Sequence, residues 1–271
     1  MAIIDLNGCG PVAPECSLDE VLRMEQSNLN CFPSSKTDFD GGWLMRISSS
    51  NPSKRINSLN FFDKSDNENV GGRLDYAQHT FKRLNVPFNV RWTPLTPDDV
   101  DSEMDQRHYT RYSETLVLRR AIWSLGETEI PSGLQIKEVS FDQWVDCYRQ
   151  VGGTRDDFIA PEALSSLKSV MCSVIAPSIS LVAVSADNIP LAVVSAVLDK
   201  DQLGVMNVAT HPDHRRSGLA HALVLKAHEA GASKGAQFAW LQVVKANAAG
   251  RKLYANLGYK EAYRYHYCSP R

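Results

Sequence analysis

The sequence predicts a mixed α/β fold in two successive halves. Three observations carry this expectation. Short apolar runs alternate with segments of helical period along the whole chain, a polar stretch from Gly126 to Gly133 containing Pro131 divides it, and the region Gln202–Val244 has a strand-helix-strand order whose two strands must run parallel. With 271 residues and 43% apolar composition, two domains of ordinary size can each bury a core. We therefore expect domains at 1–126 and 134–271, each a mostly antiparallel twisted sheet flanked by helices.

In the first half, Ser17 to Glu20 spells S-x-x-E and predicts a capping box that opens a helix. "GWLMRIS" and "RINSLNFF" read as strands joined through "SSSNPSK". "RLDYAQHTFKRLN" places Leu74, Ala77, Phe81 and Leu84 at helical spacing, "FNVRWTPL" is a strand, Asp98 to Arg107 a short helix and "TLVLRRAIW" a closing strand. The second half opens with the strand "LQIKEVS" and helices over Phe141–Gln150 and Pro161–Val174, joined by the loop "GGTRDDFIA". Strands follow at Ile179–Ser185, Pro190–Asp199 and Gln202–Thr210, then a helix over Ser217–Ala230, the strand "FAWLQVV", a helix over Asn247–Leu257 and the strand "YKEAYRYHYC".

Composition narrows the function. A net charge of −2 gives no overall attraction for nucleic acid or an anionic membrane, so neither is expected as a partner, and any anion site must be local. The six cysteines lack CxxC spacing. The start "MAIIDLNGCGPVAPEC" lacks the basic and apolar regions of a signal peptide, and the most apolar stretch is broken by Asp187, Asn188 and Pro190. A cytoplasmic location is the resulting expectation. There is no G-x-x-x-x-G-K-[ST], no G-x-S-x-G and no G-x-G-x-x-G after a strand.

The chemistry concentrates in "NVATHPDHRRSGLAHALVLKAHEA". A strand that feeds into a helix presents unpaired N–H groups and the positive end of the helix dipole, which together cradle an anion. Gly218 permits close backbone approach, Ala220 keeps the first turn clear, and Arg215 and Arg216 add charge. In "KANAAGRKLYANLGY", Asn247 and Tyr254 are seven residues apart and share one helix face.

These two segments, in this order and at this separation, resemble the signature segments of the GNAT superfamily of acyl-CoA-dependent N-acyltransferases, over Leu134–Arg271. The resemblance implies that acetyl-CoA is the co-substrate, that Val208, Ala209 and Thr210 pair with pantetheine where two strands splay, and that amides around Arg215, Arg216, Ser217, Gly218, Leu219 and Ala220 hold the pyrophosphate. It further implies that Asn247 bonds the pantetheine arm and that Tyr254 protonates the departing thiolate. An amine of a small molecule or peptide would attack the thioester directly, and no metal is called for. Many relatives place a carboxylate on the strand before the first segment, but Leu203–Thr210 has none. Asp156, Asp157 or His211 acting through water are the candidates for a base, and a non-catalytic acyl-CoA sensor is the alternative function.

Four histidines, His211, His214, His221 and His228, are read as solvated rather than metal-binding. Arg251 and Lys252 either meet the coenzyme's ribose phosphate or lie on a solvated face. The first half resembles the superfamily more faintly: its element order fits, and "MDQRHYTRYSETLVLRR" parallels "YANLGYKEAYRYHYC". It lacks R-x-x-G-x-G/A and the Asn and Tyr spacing, so a degenerate first copy is expected. The oligomeric state and the acceptor stay open.

Overall fold

The structure, a computed structural model, describes residues 16–122, 134–152 and 161–271. The leader reading at 1–15, the boundary at Gly126–Gly133 and the candidate bases Asp156 and Asp157 lie outside the described residues. The element order is α1 (Leu18–Cys31), β1 (Lys36–Asp40), β2 (Trp43–Ile47), β3 (Ser58–Phe61), α2 (Val70–Arg83), β4 (Val90–Trp92), α3 (Asp98–Gln106) and β5 (Thr110–Ala121). The second half continues with β6 (Gln135–Glu138), α4 (Phe141–Gly152), α5 (Pro161–Cys172), β7 (Ser178–Val184), β8 (Pro190–Asp199), β9 (Gln202–Thr210), α6 (Leu219–Ser233), β10 (Phe238–Val244), α7 (Ala248–Asn256) and β11 (Lys260–Ser269).

The capping box forms as read: the Ser17 hydroxyl accepts from Glu20 N–H while the Glu20 carboxylate accepts from Ser17 N–H at 3.0 Å. Strand β1 was not foreseen from the sequence. Its residues "KTDFD" are all exposed, so no apolar alternation marks it; at the sheet edge it pairs with β2 as its one strand neighbour, and Arg73 of α2 ties down its end at Asp40.

The strands form one continuous sheet in the order β1-β2-β3-β4-β11-β5-β10-β9-β8-β7-β6. The C-terminal strand β11 lies between β4 and β5 of the first half, and β5 lies between β11 and β10 of the second. Each half thus receives a strand from the other. All pairings are antiparallel except β3 with β4 and β9 with β10, the two ends of helical crossovers, as chain geometry requires.

Alternation on the strands decides which helix covers which face. Ile179, Leu181 and Ala183 of β7 join a core with Leu219, Leu223 and Ala227 of α6, while Val182 and Val184 join Trp144 and Tyr148 of α4 on the other face. Leu74, Ala77 and Phe81 of α2 and Val100 and Met104 of α3 pack on β2–β4. Helix α1 packs Val21, Met24 and Cys31 among Trp240, Tyr263, Tyr265 and Tyr267, residues of the second half. Its buried Glu25 ties the halves together: it accepts from Arg91 of β4 at 2.8 and 2.9 Å and from the hydroxyl of Tyr263 of β11. Arg91 draws its carboxyl below the ordinary carboxylate range, against the cost of burial. No described helix is long and apolar enough to cross a membrane.

Candidate functional site

The site is built where β9 and β10 part. Their parallel ladder pairs Phe238 with Gln202, Ala239 with Leu203 and Trp240 with Gly204, and then stops. At the last pair the absence of a side chain matters: a Cβ on Gly204 would come within 2.8 Å of the Trp240 ring and 3.0 Å of Cys31 Sγ. Beyond it, Val205 to Thr210 keep only β8 as a strand partner. The divergence has a local cause in β9. Val193 pairs with Ala209 and Ser195 with Met206, so Asn207 and Val208 together face the single residue Val194. Asn207 takes φ 54°, which asparagine tolerates, and its Nδ2 donates to Ser195 Oγ at 2.8 Å. Trp144 Nε1 donates to the Val194 carbonyl at 2.9 Å and holds the bulge from α4. Val208, Ala209 and Thr210 therefore lie half-buried along an open strand edge.

The chain then turns through His211–His214 into a loop in which Arg216 has φ 62° and Gly218 φ 82°. Successive amides in such alternating conformations form a concave donor surface. Gly218 is the N-cap of α6 and supplies no side-chain hydrogen bond, so the first-turn N–H groups at Leu219 and Ala220 have no cap and face the loop. Arg215, Arg216 and Ser217 are exposed, and no ion pair engages either arginine among the described residues. Cationic side chains and orphan amides converging at a helix N-terminus fit a pyrophosphate.

Helix α7 starts directly after β10. Asn247 is its N-cap, its Oδ1 accepting from Gly250 N–H at 2.9 Å, which leaves the Nδ2 group for another partner. Tyr254 lies against the core of the second half with its ring edge-on to Tyr259 at 5.9 Å, and burial pushes its phenol up to about 12. It is a proton-bearing donor at any working pH. Arg251 and Lys252 are exposed on the same helix. Val208–Thr210 and Arg215–Ala220 thus lie at or just beyond the C-terminal end of β9 and Asn247 just beyond that of β10, while Tyr254 lies seven residues past Asn247 with its ring on Tyr259, just before β11.

One expectation is corrected. His228 is not a solvated helix-face histidine: it is fully buried, its Nε2 is 2.7 Å from Tyr259 OH, and burial with the Arg120 guanidinium nearby pushes it down to about 3. Seven residues, about two turns, beyond the half-buried His221, it lies on the core side of α6. It stays neutral and props Tyr259, which in turn contacts Tyr254. His211 is half-buried, with Nδ1 accepting from Asp213 N–H at 3.4 Å. Among the described residues no three His, Cys, Asp or Glu side chains converge on a point.

Sequence reasoning missed Glu114 altogether. The strand exchange places it on β5 beside the end of β10, where its carbonyl accepts from Lys245 N–H at 2.9 Å and its carboxylate from Lys245 Nζ at 2.7 Å. Although burial opposes it, Lys245 and Arg264 hold the carboxyl below the ordinary range, which suits a structural anion better than a base. No local pattern around Glu114 shows that β10 is its neighbour.

Comparison with known proteins was made on this geometry. The sequence profile described as "Probable histone acetyltransferase Rv0428c C-terminal" matches residues 19–268. The [Ribosomal protein bS18]-alanine N-acetyltransferase of Escherichia coli (strain K12) is 38% identical over 71 residues, 26% of this chain and 47% of that protein, so the chain spans about half the length of the curated relatives it matches. A GCN5-related N-acetyltransferase from Kribbella flavida superposes with a TM-score of 0.70 at 15% identity, covering 94% of this chain and 96% of that one. A tandem GNAT protein from the clavulanic acid biosynthesis pathway superposes with a TM-score of 0.66 at 13% identity, covering 96% and 89%. At such identity the structural likeness is one of fold.

Proposed function

Because the chain belongs to the family described as probable histone acetyltransferase Rv0428c C-terminal and has the GNAT fold, we propose that its second half, 134–271, binds acetyl-CoA at the splayed strands and moves the acetyl group to a primary amine of a small molecule or peptide. We take 1–126 as a degenerate first copy. The observation that carries the proposal is the open β9 edge leading into the uncapped, arginine-flanked start of α6.

Acetyl-CoA, when bound, supplies an acyl group already activated as a thioester. The open edge at Val208–Thr210 would pair with the amides of pantetheine as a further strand would, and a main-chain N–H at Val208 or Ala209 would meet the charge that develops on the acyl oxygen. Arg215, Arg216 and the amides up to Ala220 would hold the pyrophosphate, and Asn247 Nδ2 the arm. The acyl carbon leaves sulfur for the amine nitrogen, and the proton shed by the amine balances the one gained by the thiol. Tyr254 would donate to that sulfur. With the phenol near 12 and a thiol near roughly 8.5, complete transfer is uphill, so the hydrogen bond to the thiolate is what the tyrosine contributes at the barrier. Neither β9 nor β10 carries an Asp or Glu, which favours an acceptor that arrives as a free amine, or His211 acting through water.

Calorimetry with acetyl-CoA tests the site. One equivalent should bind with a micromolar-range affinity that Gly218→Glu abolishes; absence of binding would end the proposal, and two equivalents would show that the first half also holds the coenzyme. Steady-state turnover of Tyr254→Phe with an amine panel separates catalysis from a sensor, since only an enzyme loses rate while coenzyme binding is retained.

A further inference from the structure

A cavity of about 730 Å³ bordered by described residues lies away from the splayed strands. It lies between the last turn of α1, β2 and the β8–β9 turn. Lys200 in that turn and Thr210 at the far end of β9 are separated by a strand of about 26 Å at roughly 3.3 Å per residue. A volume of this size matches small-molecule sites in general. Leu44, Phe62 and Ile175 give it apolar walls, and Ile175 is fully exposed to it and to solvent.

Its floor is chemically odd. Arg46 of β2 has no exposed surface, yet borders the cavity. Its terminal nitrogens donate to the carbonyls of Arg55 and Phe32, which are neutral, and its Nε has no partner. Arg55 and Arg91 lie close enough to Arg46 to oppose its charge, and the Glu25 carboxylate that favours it is already committed to Arg91 and Tyr263. Burial and the two neighbouring arginines push Arg46 down to about 9. A buried cation without a counter-ion is costly, and an entering anion would relieve it. At the rim Lys200 has no ion-pair partner among the described residues, whereas the carboxylate of Asp199 accepts from Asn30 Nδ2 at 3.2 Å through both oxygens.

We propose that this cavity is a second ligand site, for a small amphipathic organic anion whose carboxylate is drawn by the charge of Arg46 beneath the floor and of Lys200 at the rim and whose apolar body lies against Leu44, Phe62 and Ile175. The distance along β9 separates it from the acetyl-CoA site, so both ligands bind at once.

The test uses the full chain and three probes of equal tail length: octanoate, octanol and octylammonium. Calorimetry should show one saturable octanoate site, with the other two probes at least about tenfold weaker because neither carries the negative charge. Ser173→Trp, which fills the rim, should remove octanoate binding; Lys200→Glu should weaken it about fivefold, and Asp199→Asn should tighten it slightly. Arg46→Gln should erase the preference for octanoate over octanol. Acetyl-CoA affinity should be the same in every variant. Octanoate that fails to saturate by about 10 mM, octanol that binds as well as octanoate, or binding that survives Ser173→Trp would each overturn the proposal. Should Arg46→Gln not fold, Ser173→Trp and Lys200→Glu still decide it.

Discussion

In the first half the chain leaves β3 at Phe61, enters α2 through Asn69 at φ 45° and returns as β4; in the second it leaves β9 at Thr210, enters α6 through Gly218 at φ 82° and returns as β10. Neither N-cap offers a side-chain bond. The exits match as closely. Tyr109 N–H donates to Met104 O after His108 at φ 57°, and Tyr259 N–H donates to Tyr254 O after Gly258 at φ 78°. By that correspondence Met104 stands where Tyr254 does, and Pro97, the N-cap of α3, where Asn247 does. A buried thioether cannot donate a proton, and proline has no side-chain amide. Counted back from the two N-caps, Asp66 and Asn67 stand where the second half has Arg215 and Arg216, and Asp66 already accepts from Gly42 N–H and from Arg73. Under the proposed function the same scaffold would be an anion cradle in the second half, whereas the loop of the first is neutralised by its own contacts. Three or four side chains make the difference.

The strongest way to break the comparison is to separate the halves. Glu25→Ala leaves Arg91 buried without its carboxylate and should cost about 3–5 kcal/mol, with both halves lost in one denaturation transition. If the second half kept acetyl-CoA binding while the first unfolded, the exchange of β5 and β11 would not couple them. Next, Tyr254→Phe should lower kcat about 100-fold with coenzyme affinity intact, whereas Met104→Leu should leave kcat unchanged. In the wild type the rate should rise with pH as the acceptor amine is freed and should not fall again up to about pH 10, because Tyr254 keeps its proton to about 12. A decline there would assign the donor elsewhere.

A smaller effect is expected at the cradle. Replacing Arg215 and Arg216 together by alanine should weaken acetyl-CoA about tenfold and flatten its salt dependence, while Lys64→Ala, whose amine pairs with Asp98, should do neither. Smallest is Asp66→Asn in the first half, costing about 1–2 kcal/mol at neutral pH by loss of the Arg73 contact. The Arg73 hydrogen bond lowers the Asp66 carboxyl in the folded protein, so its stabilisation is present above the unfolded value near about 3.9 and is lost as pH falls through the folded one. Acid melts should therefore show the variant less pH-sensitive than the wild type below about pH 4.

What was legible in the sequence was local. The capping box at Ser17, the helical stripe of α6, the arginine-glycine threshold and the Asn247–Tyr254 spacing each lie within a dozen or so residues, and the backbone realises them as read. The likeness of the two chain endings was also visible, and the structure gives it meaning, since β5 and β11 are neighbours in the sheet.

The sequence by itself determined the element order apart from β1, the parallel crossover and the residues at the mouth of α6, because helix starts, turns and strand period depend on neighbours along the chain. Only the tertiary structure decided who pairs with whom. A strand's pattern states which face is buried but not which edge it joins, so the exchange of β5 and β11, the stop of the β9–β10 ladder at Gly204, the arrival of Glu114 beside Lys245 and the burial of His228 and Arg46 emerge only when distant segments meet.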